Sequence, residues 1–266
     1  MTQIPPILLV GLGKMGGAML AGWREQGLAA AVAVDPALPP MPGPEVTVVA
    51  DVATIPAGFA PAAVVLAVKP QMADAALPHV VRFAGSAVVL SIMAGRTIAS
   101  VGRLLGETAK IVRAMPNTPA AVRQGITVAT AGPGVTDAQR ALCDTLLQAI
   151  GKVAWVDDEA LIDPVTAVSG GGPAYVFLLA ELLERAAIEQ GIPPDLARLM
   201  ARQTVSGSGA LLAASTEDAA VLRKAVTSPK GTTERALAVL MADDAWPALL
   251  SRAIAAATAR SRELAG

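Results

Sequence analysis

Near the start of the chain, Gly11-Leu12-Gly13-Lys14-Met15-Gly16 has the glycine spacing of a phosphate-binding turn. The turn follows an apolar run, Ile7-Leu8-Leu9-Val10, and opens a helical stretch, Gly16–Gln26. Glycines at this spacing are a weak signal alone; between a strand and a helix they stand in the context a dinucleotide site requires. Gly11 allows the tight turn, Gly13 lets backbone approach a pyrophosphate, and Gly16 lets helix pack on strand. Amides at the helix N-terminus then face the phosphates. Asp35 ends the next apolar run, Ala31–Val34, close to the distance of about 20 residues at which an acidic residue meets the adenosine ribose. A carboxylate there accepts hydrogen bonds from both ribose hydroxyls and repels a 2′-phosphate. Pro36 follows it, not an arginine. These residues point to an oxidoreductase with a nicotinamide dinucleotide, and Asp35 favours NADH over NADPH. The competing role for Asp35 is to open an Asp-Pro turn.

Other reactive side chains are sparse. Cys143 is the single cysteine, so no intrachain disulfide or Cys-rich metal site can form. It sits in a helical pattern, Ala141–Leu146, as a buried small hydrophobe. His79 is the single histidine and follows Pro78 at an apparent helix end, which reads as structural. No metal site is expected, and no His-based catalysis. Ala67-Val68-Lys69-Pro70 and Met115-Pro116-Asn117 each follow an apolar run, which places them at the carboxyl edge of a sheet, beside a cofactor crevice. Asn117 could bond the nicotinamide side or ribose, or could be a turn residue before Thr118-Pro119. In Thr227-Ser228-Pro229-Lys230-Gly231-Thr232-Thr233, Pro229 stops one helix and Thr232-Thr233-Glu234 starts another. Amides at Lys230–Thr233 are then unpaired and suit a carboxylate. The same run also reads as an ordinary capped helix start after a Ser-Pro turn.

The elements that must position these residues fall into two groups. Strand candidates are Ile7–Val10, Ala31–Val34, Val46–Val49, Ala63–Val68, Ala87–Ile92, Lys110–Ala114, Ile126–Thr130 and Val153–Trp155. Several are continuous apolar runs, as expected for parallel strands covered on both faces. Helical stretches such as Gly16–Gln26, Ile98–Leu105 and Asp137–Ile150 lie between them, the last with Thr136 as N-cap and Gly151 as its end. After Trp155 the periodicity is helical throughout. Asp157–Val168, Ala174–Gln190, Pro194–Ala214, Asp218–Val226, Thr232–Met241 and Ala245–Leu264 are the segments. The expected fold is α/β: an N-terminal doubly wound Rossmann sheet over residues 1–157, then an all-helical domain over residues 158–266. Small residues in Thr204–Ala210 let another helix approach closely, within the chain or across a dimer seam.

Composition narrows the partners. The chain has 266 residues, 53% of them hydrophobic, and a formal net charge of -1 from 21 basic and 22 acidic side chains. Nothing electrostatic invites nucleic acid or an anionic membrane. Mean hydropathy is +0.54. The longest uncharged stretches, Val52–Val68 and Pro164–Ala180, are broken by proline or glycine and fall short of the roughly 20 apolar residues of a spanning helix. The start, Met1–Pro6, lacks the basic and apolar regions of a signal peptide, so a cytoplasmic protein without a membrane partner is expected.

Five segments, in order along nearly the whole chain, resemble the pyrroline-5-carboxylate reductases. They are Gly11–Met19, Ala67–Gln71, Met115–Ala120, Ser169–Tyr175 and Thr227–Thr233. The resemblance implies reduction of L-1-pyrroline-5-carboxylate to L-proline, the last step of proline synthesis. It implies a C-terminal helical dimerisation domain, with each active site between one subunit's cofactor and its partner's helices. It makes Gly11, Leu12, Gly13, Lys14, Met15, Gly16, Asp35, Ala67, Val68, Lys69, Pro70 and Asn117 the cofactor residues. Ser228, Lys230, Gly231, Thr232 and Thr233 would hold the substrate carboxylate, and the Thr233 hydroxyl would reach the ring nitrogen as proton donor or relay. Three positions depart from the family's habit: Gly171 stands in place of serine, Lys230 in place of a frequent glycine, and Asp35 opposes a frequent preference for NADPH. Whether dimers build a larger ring is not fixed by the sequence. The competing readings are a β-hydroxyacid dehydrogenase or other imine reductase, and a module that senses NAD(H) without chemistry. The hydroxyacid enzymes use a lysine on the first long helix after the Rossmann domain, and Ala174–Leu183 contains none.

Overall fold

A computed structural model describes residues 3–40 and 43–265. Met1 and Thr2, in the stretch read for a leader, lie outside them. Among the described residues, eight strands form one sheet: β1 (Ile7–Val10), β2 (Ala31–Val34), β3 (Val46–Val49), β4 (Ala63–Leu66), β5 (Val88–Ser91), β6 (Lys110–Met115), β7 (Gly125–Ala131) and β8 (Gly151–Trp155). Their order is β3-β2-β1-β4-β5-β6-β7-β8. Every pairing is parallel except β6 with β7. The first six strands thus have the doubly wound order, with the chain reversing direction between β1 and β4.

The continuous apolar runs are strands because both faces are covered. β1, β2, β4 and β5 are buried along their full length. Alternate residues feed two cores. Ile7, Leu9, Ala63 and Val65 join Met19 and Trp23 of α1 (Lys14–Glu25) and Leu146 and Leu147 of α4 (Asp137–Gln148). Leu8, Val10, Val64 and Leu66 join Leu77, Val80 and Phe83 of α2 (Ala73–Ala84) and Val101 and Leu105 of α3 (Ile98–Leu105). The Trp23 indole N–H donates to the Leu146 carbonyl at 2.8 Å, tying α1 to α4. Thr136 caps α4 in a full capping box with Gln139. Cys143 is buried in the first core, and burial pushes its thiol up to about 12, so no thiolate nucleophile is available there.

One local expectation is corrected. His79 is not at a helix end: α2 runs from Ala73 to Ala84 with Pro78 inside it. Proline in a helix interior costs about 3 kcal/mol because it removes a hydrogen bond and crowds the preceding turn. Leu77, Val80 and Phe83, seated against the sheet, hold the helix through it.

The chain forms two compact units, residues 1–170 with 257–266, and Gly171–Ala256. By contacts, the first unit includes residues just after β8. A 3-10 turn Glu159–Leu161, α5 (Ile162–Val165) and a π-helical turn Thr166–Gly170 extend the first unit beyond β8. Polar contacts anchor this extension. Arg113 on β6, 4% exposed, donates from Nη1 to Glu159 Oε1 at 2.9 Å, and its Nη2 lies 3.9 Å from Asp163 Oδ1. Glu159 Oε1 also accepts from the Ile98 amide at 2.8 Å. The Ser261 hydroxyl donates to Asp163 Oδ1 at 2.7 Å, bringing the C-terminal segment into the same unit.

The second unit contains α6 (Gly172–Glu189), α7 (Pro194–Ala214), α8 (Ala219–Ala225), α9 (Thr232–Leu240) and most of α10 (Trp246–Ala265). Ala197 and Ala201 are its only fully buried hydrophobic residues. Phe177 and Leu199 are 68% and 64% exposed. The stretch Glu159–Glu189 is long and apolar enough, by length and composition, to cross a membrane, and 6% of its apolar window is buried within the chain. Helical turns continue across Pro164 and Gly170, which the sequence pattern treated as breaks.

Candidate functional site

A crevice of about 410 Å³ opens at the carboxyl ends of β1, β2, β3 and β4. This is where a doubly wound sheet binds ligands, because strands on either side of the reversal send their loops apart. Six expected cofactor residues line it: Gly11, Gly13, Asp35, Ala67, Val68 and Lys69. Gly11 has φ 104, and a Cβ there would stand 2.7 Å from the Ala67 carbonyl oxygen. A Cβ on Gly16 would overlap the Gly11 carbonyl oxygen. Both glycines are therefore demanded by the fold itself. Gly13 is different: it has φ -64, and no atom lies within 4 Å of a Cβ built there. Nothing inside the chain requires glycine at 13, but a phosphate close to the backbone would.

This contrast separates folding from binding. Gly13→Ala is expected to keep the parent's thermal midpoint and to weaken dinucleotide binding about tenfold, or 1.4 kcal/mol. Titration calorimetry with NADH checks it; parental affinity in the variant would remove Gly13 from the site.

Asp35 both organises the turn and faces the crevice. Its Oδ2 accepts from the Leu12 amide and its Oδ1 from the Ala37 amide, each at 2.9 Å. The Asp-Pro turn and the crevice-facing position are thus the same geometry. Lys14 starts α1, Met15 packs on the first core, and the Pro70 carbonyl accepts from Arg96; these residues, with Leu12 and Gly16, support the turns and do not line the crevice.

Asn117 is placed elsewhere. Its Nδ2 donates to the Ser169 carbonyl at 3.1 Å, and its Oδ1 accepts from the Ile126 amide at 2.9 Å. It is nearly buried, and these bonds tie β7 to the π-helical turn, as a turn residue does. The strongly directional side-chain amide goes to the backbone groups that the turn exposes.

Several lining residues carried no signal in the sequence reading. Met72, Ala75, Ala76 and His79 form one stripe of α2 and its preceding turn, and Asp51 and Val52 follow β3. The spacing of 72, 75, 76 and 79 is helical, but an alanine-rich stretch around Pro78 hid how far the helix extends.

In the second unit, the Thr227–Thr233 loop is tighter than expected. The Thr227 hydroxyl donates to the Arg223 carbonyl at 2.7 Å, and the Gly231 amide to the Ser228 carbonyl at 3.0 Å. The Lys230 amide donates to Glu234 Oε2 at 2.8 Å. Two of the four amides expected to be free, Lys230 and Gly231, are therefore occupied. Thr232 and Thr233 open α9, where first-turn amides have no intrahelical acceptor, and both residues are exposed. Lys230 has φ 60, the left-handed region that glycine enters without a Cβ clash. That geometry explains why glycine would suit the position.

Residues 159–264 match the family model described as pyrroline-5-carboxylate reductase dimerisation. The chain is 39% identical to the pyrroline-5-carboxylate reductase of Pseudomonas aeruginosa, over 98% of this chain and 97% of that one. Its structure is similar to that of a pyrroline-5-carboxylate reductase from Coxiella burnetii, with a TM-score of 0.89 and 31% identity over 99% of this chain and 100% of the other. It is also similar to a Plasmodium falciparum pyrroline carboxylate reductase solved with NADP bound, with a TM-score of 0.83 and 25% identity over the full length of both.

Proposed function

Because the chain belongs to the pyrroline-5-carboxylate reductase family, we propose that it reduces the C=N bond of L-1-pyrroline-5-carboxylate to give L-proline. The observation that carries this reading is identity of 39% along 98% of the chain, spanning both the crevice unit and the helical unit. The donor set fits a nicotinamide dinucleotide: a glycine turn with open space at Gly13, an N-terminal helix end, and a carboxylate at the end of β2. When bound, such a dinucleotide supplies the hydride.

The residues of the chain do the rest by placement. Gly11, Gly13 and the α1 N-terminus take the pyrophosphate; Asp35 accepts from the ribose hydroxyls, which favours NADH. Thr232 and Thr233 offer first-turn amides to the substrate carboxylate. The Thr233 hydroxyl is directed to the ring nitrogen, where it orients the imine and delivers or relays one proton, directly or through water. A threonine hydroxyl is a weak acid, so its chief contribution is orientation. Holding the reacting atoms in line accounts for several kcal/mol of barrier lowering. No stronger acid or nucleophile is needed, since a protonated cyclic imine already accepts hydride readily.

The helical unit acts as a homodimer, its exposed apolar surface meeting the same surface of a second copy. Support comes from the description of the matched family and from a unit whose large hydrophobic side chains lie at its surface. The partner's substrate loop then completes each site.

Thr233→Ala is expected to lower kcat/KM for pyrroline-5-carboxylate at least tenfold while dinucleotide affinity changes less than twofold. Steady-state oxidation of reduced nicotinamide, followed by absorbance, provides the measure. Unchanged kinetics would sink the role of Thr233. Absence of turnover by the parent with either dinucleotide would sink the activity.

A further inference from the structure

The end of β3 puts a second carboxylate into the crevice. Val34 and Val49 are register partners on β2 and β3, and the Asp35 amide donates to the Val49 carbonyl at 2.9 Å. Asp51 follows Val49 by two residues, so it leaves the sheet on the strand next to Asp35. Neighbouring strands lie about 4.8 Å apart. Both carboxylates line the crevice.

Each carboxylate accepts from the backbone. Asp35 accepts from the Leu12 and Ala37 amides. Asp51 Oδ1 accepts from the Ala53 amide at 2.8 Å and caps the 3-10 turn Val52–Thr54. Neither carboxylate has an ion pair among the described residues. The other titratable groups of the lining are Lys69, beyond β4, and His79 on α2; Arg82 of α2 stands behind the lining, its Nη2 donating to the Val52 carbonyl at 3.0 Å. Val34, Val52 and the apolar stripe of α2 complete that end, which suits the flat face of a base.

We propose that Asp51 is a second specificity-determining residue, acting with Asp35 to admit a dinucleotide with a free ribose 2′-hydroxyl and exclude one bearing a 2′-phosphate. The inference rests on the reading of the crevice as a nicotinamide-dinucleotide site. A 2′-phosphate placed beside Asp35 sits at neighbouring strand ends that carry both carboxylates, and screening at physiological salt acts over a Debye length of about 8 Å. It meets two like charges, and the guanidinium near Asp51, that of Arg82, is engaged with the Val52 carbonyl. Asp35 has a dual role, since its oxygens also accept from the hydroxyls. Asp51 contributes its charge without being the hydroxyl acceptor.

The test measures dissociation constants for NADH and NADPH by titration calorimetry on the full chain, parent and variants. Asp51→Asn keeps an oxygen to accept from Ala53 and removes the charge. It is expected to shift the affinity ratio toward NADPH about tenfold. Asp35→Asn is expected to weaken NADH as well, and the double variant to shift the ratio further than either. In the parent, raising the salt concentration is expected to narrow the discrimination, a readout independent of whether the variants fold. A ratio unmoved by Asp51→Asn, or parental discrimination indifferent to salt, would overturn the role of Asp51 while leaving the crevice as a dinucleotide site. A parent that binds neither dinucleotide would overturn both.

Discussion

Leu199→Glu is expected to break the functional assembly: the solution mass halves and pyrroline-5-carboxylate reduction falls below detection. Leu199 is 64% exposed on α7, in a unit whose only fully buried hydrophobic residues are Ala197 and Ala201. Burying a leucine side chain contributes about 1.5–3 kcal/mol. A carboxylate at the same place loses that contribution and adds the larger cost of desolvating an unpaired charge. Phe177→Glu on α6, at 68% exposed, is expected to act the same way. Light scattering coupled to gel filtration reports the mass, and the steady-state assay reports the site. Leu199→Ser, which carries no charge, is expected to weaken the dimer without abolishing it. A Leu199→Glu protein that keeps the parent's mass and activity would show that α7 does not form the interface. The same substitution addresses Glu159–Glu189, whose apolar face has membrane-compatible length. If that face meets another copy, disrupting the dimer exposes it, and the variant should aggregate on warming.

The second large effect concerns the fold. Arg113→Leu is expected to destabilise the sheet unit by about 3–5 kcal/mol, the usual cost of removing one partner from a buried ion pair. The guanidinium is nearly sealed from water and faces both Glu159 and Asp163. Removing it leaves two carboxylates close together without a counter-charge. For a unit of this size, that corresponds to a drop in Tm of roughly 10 °C. Arg113→Lys retains charge but loses the planar fork, so about half of the loss should return. Thermal unfolding followed by circular dichroism tests the series. A Tm within 2 °C of the parent for Arg113→Leu would mean that the extension from Glu159 to Gly170 is held by packing alone.

Strands such as Ile7–Val10 and Ala31–Val34 were legible because an unbroken apolar run can be satisfied only between two covering layers. Thr136 and Gln139 marked the start of α4 because a capping box is a local hydrogen-bond arrangement. The glycine turn and Asp35 were legible for the same reason: their conformations and charges act over a few residues. The extent of α2 was not, because alanine carries no pattern and Pro78 signals a break that only packing on the sheet overrides.

What remained hidden was set by neighbours distant in sequence. The Asn117 amide is directed by Ser169, fifty-two positions away. Arg113 finds its partners beyond β8, and Asp163 finds Ser261 near the C-terminus, so the first unit continues past β8. Asp51 gains its meaning from the register of β2 on β3, which brings two strand ends into one crevice. The sequence by itself determined the dinucleotide turn, the order of the elements and the family. Tertiary structure decided which polar groups remain free to meet a ligand, because a hydrogen bond to a distant residue uses a donor that local sequence leaves open.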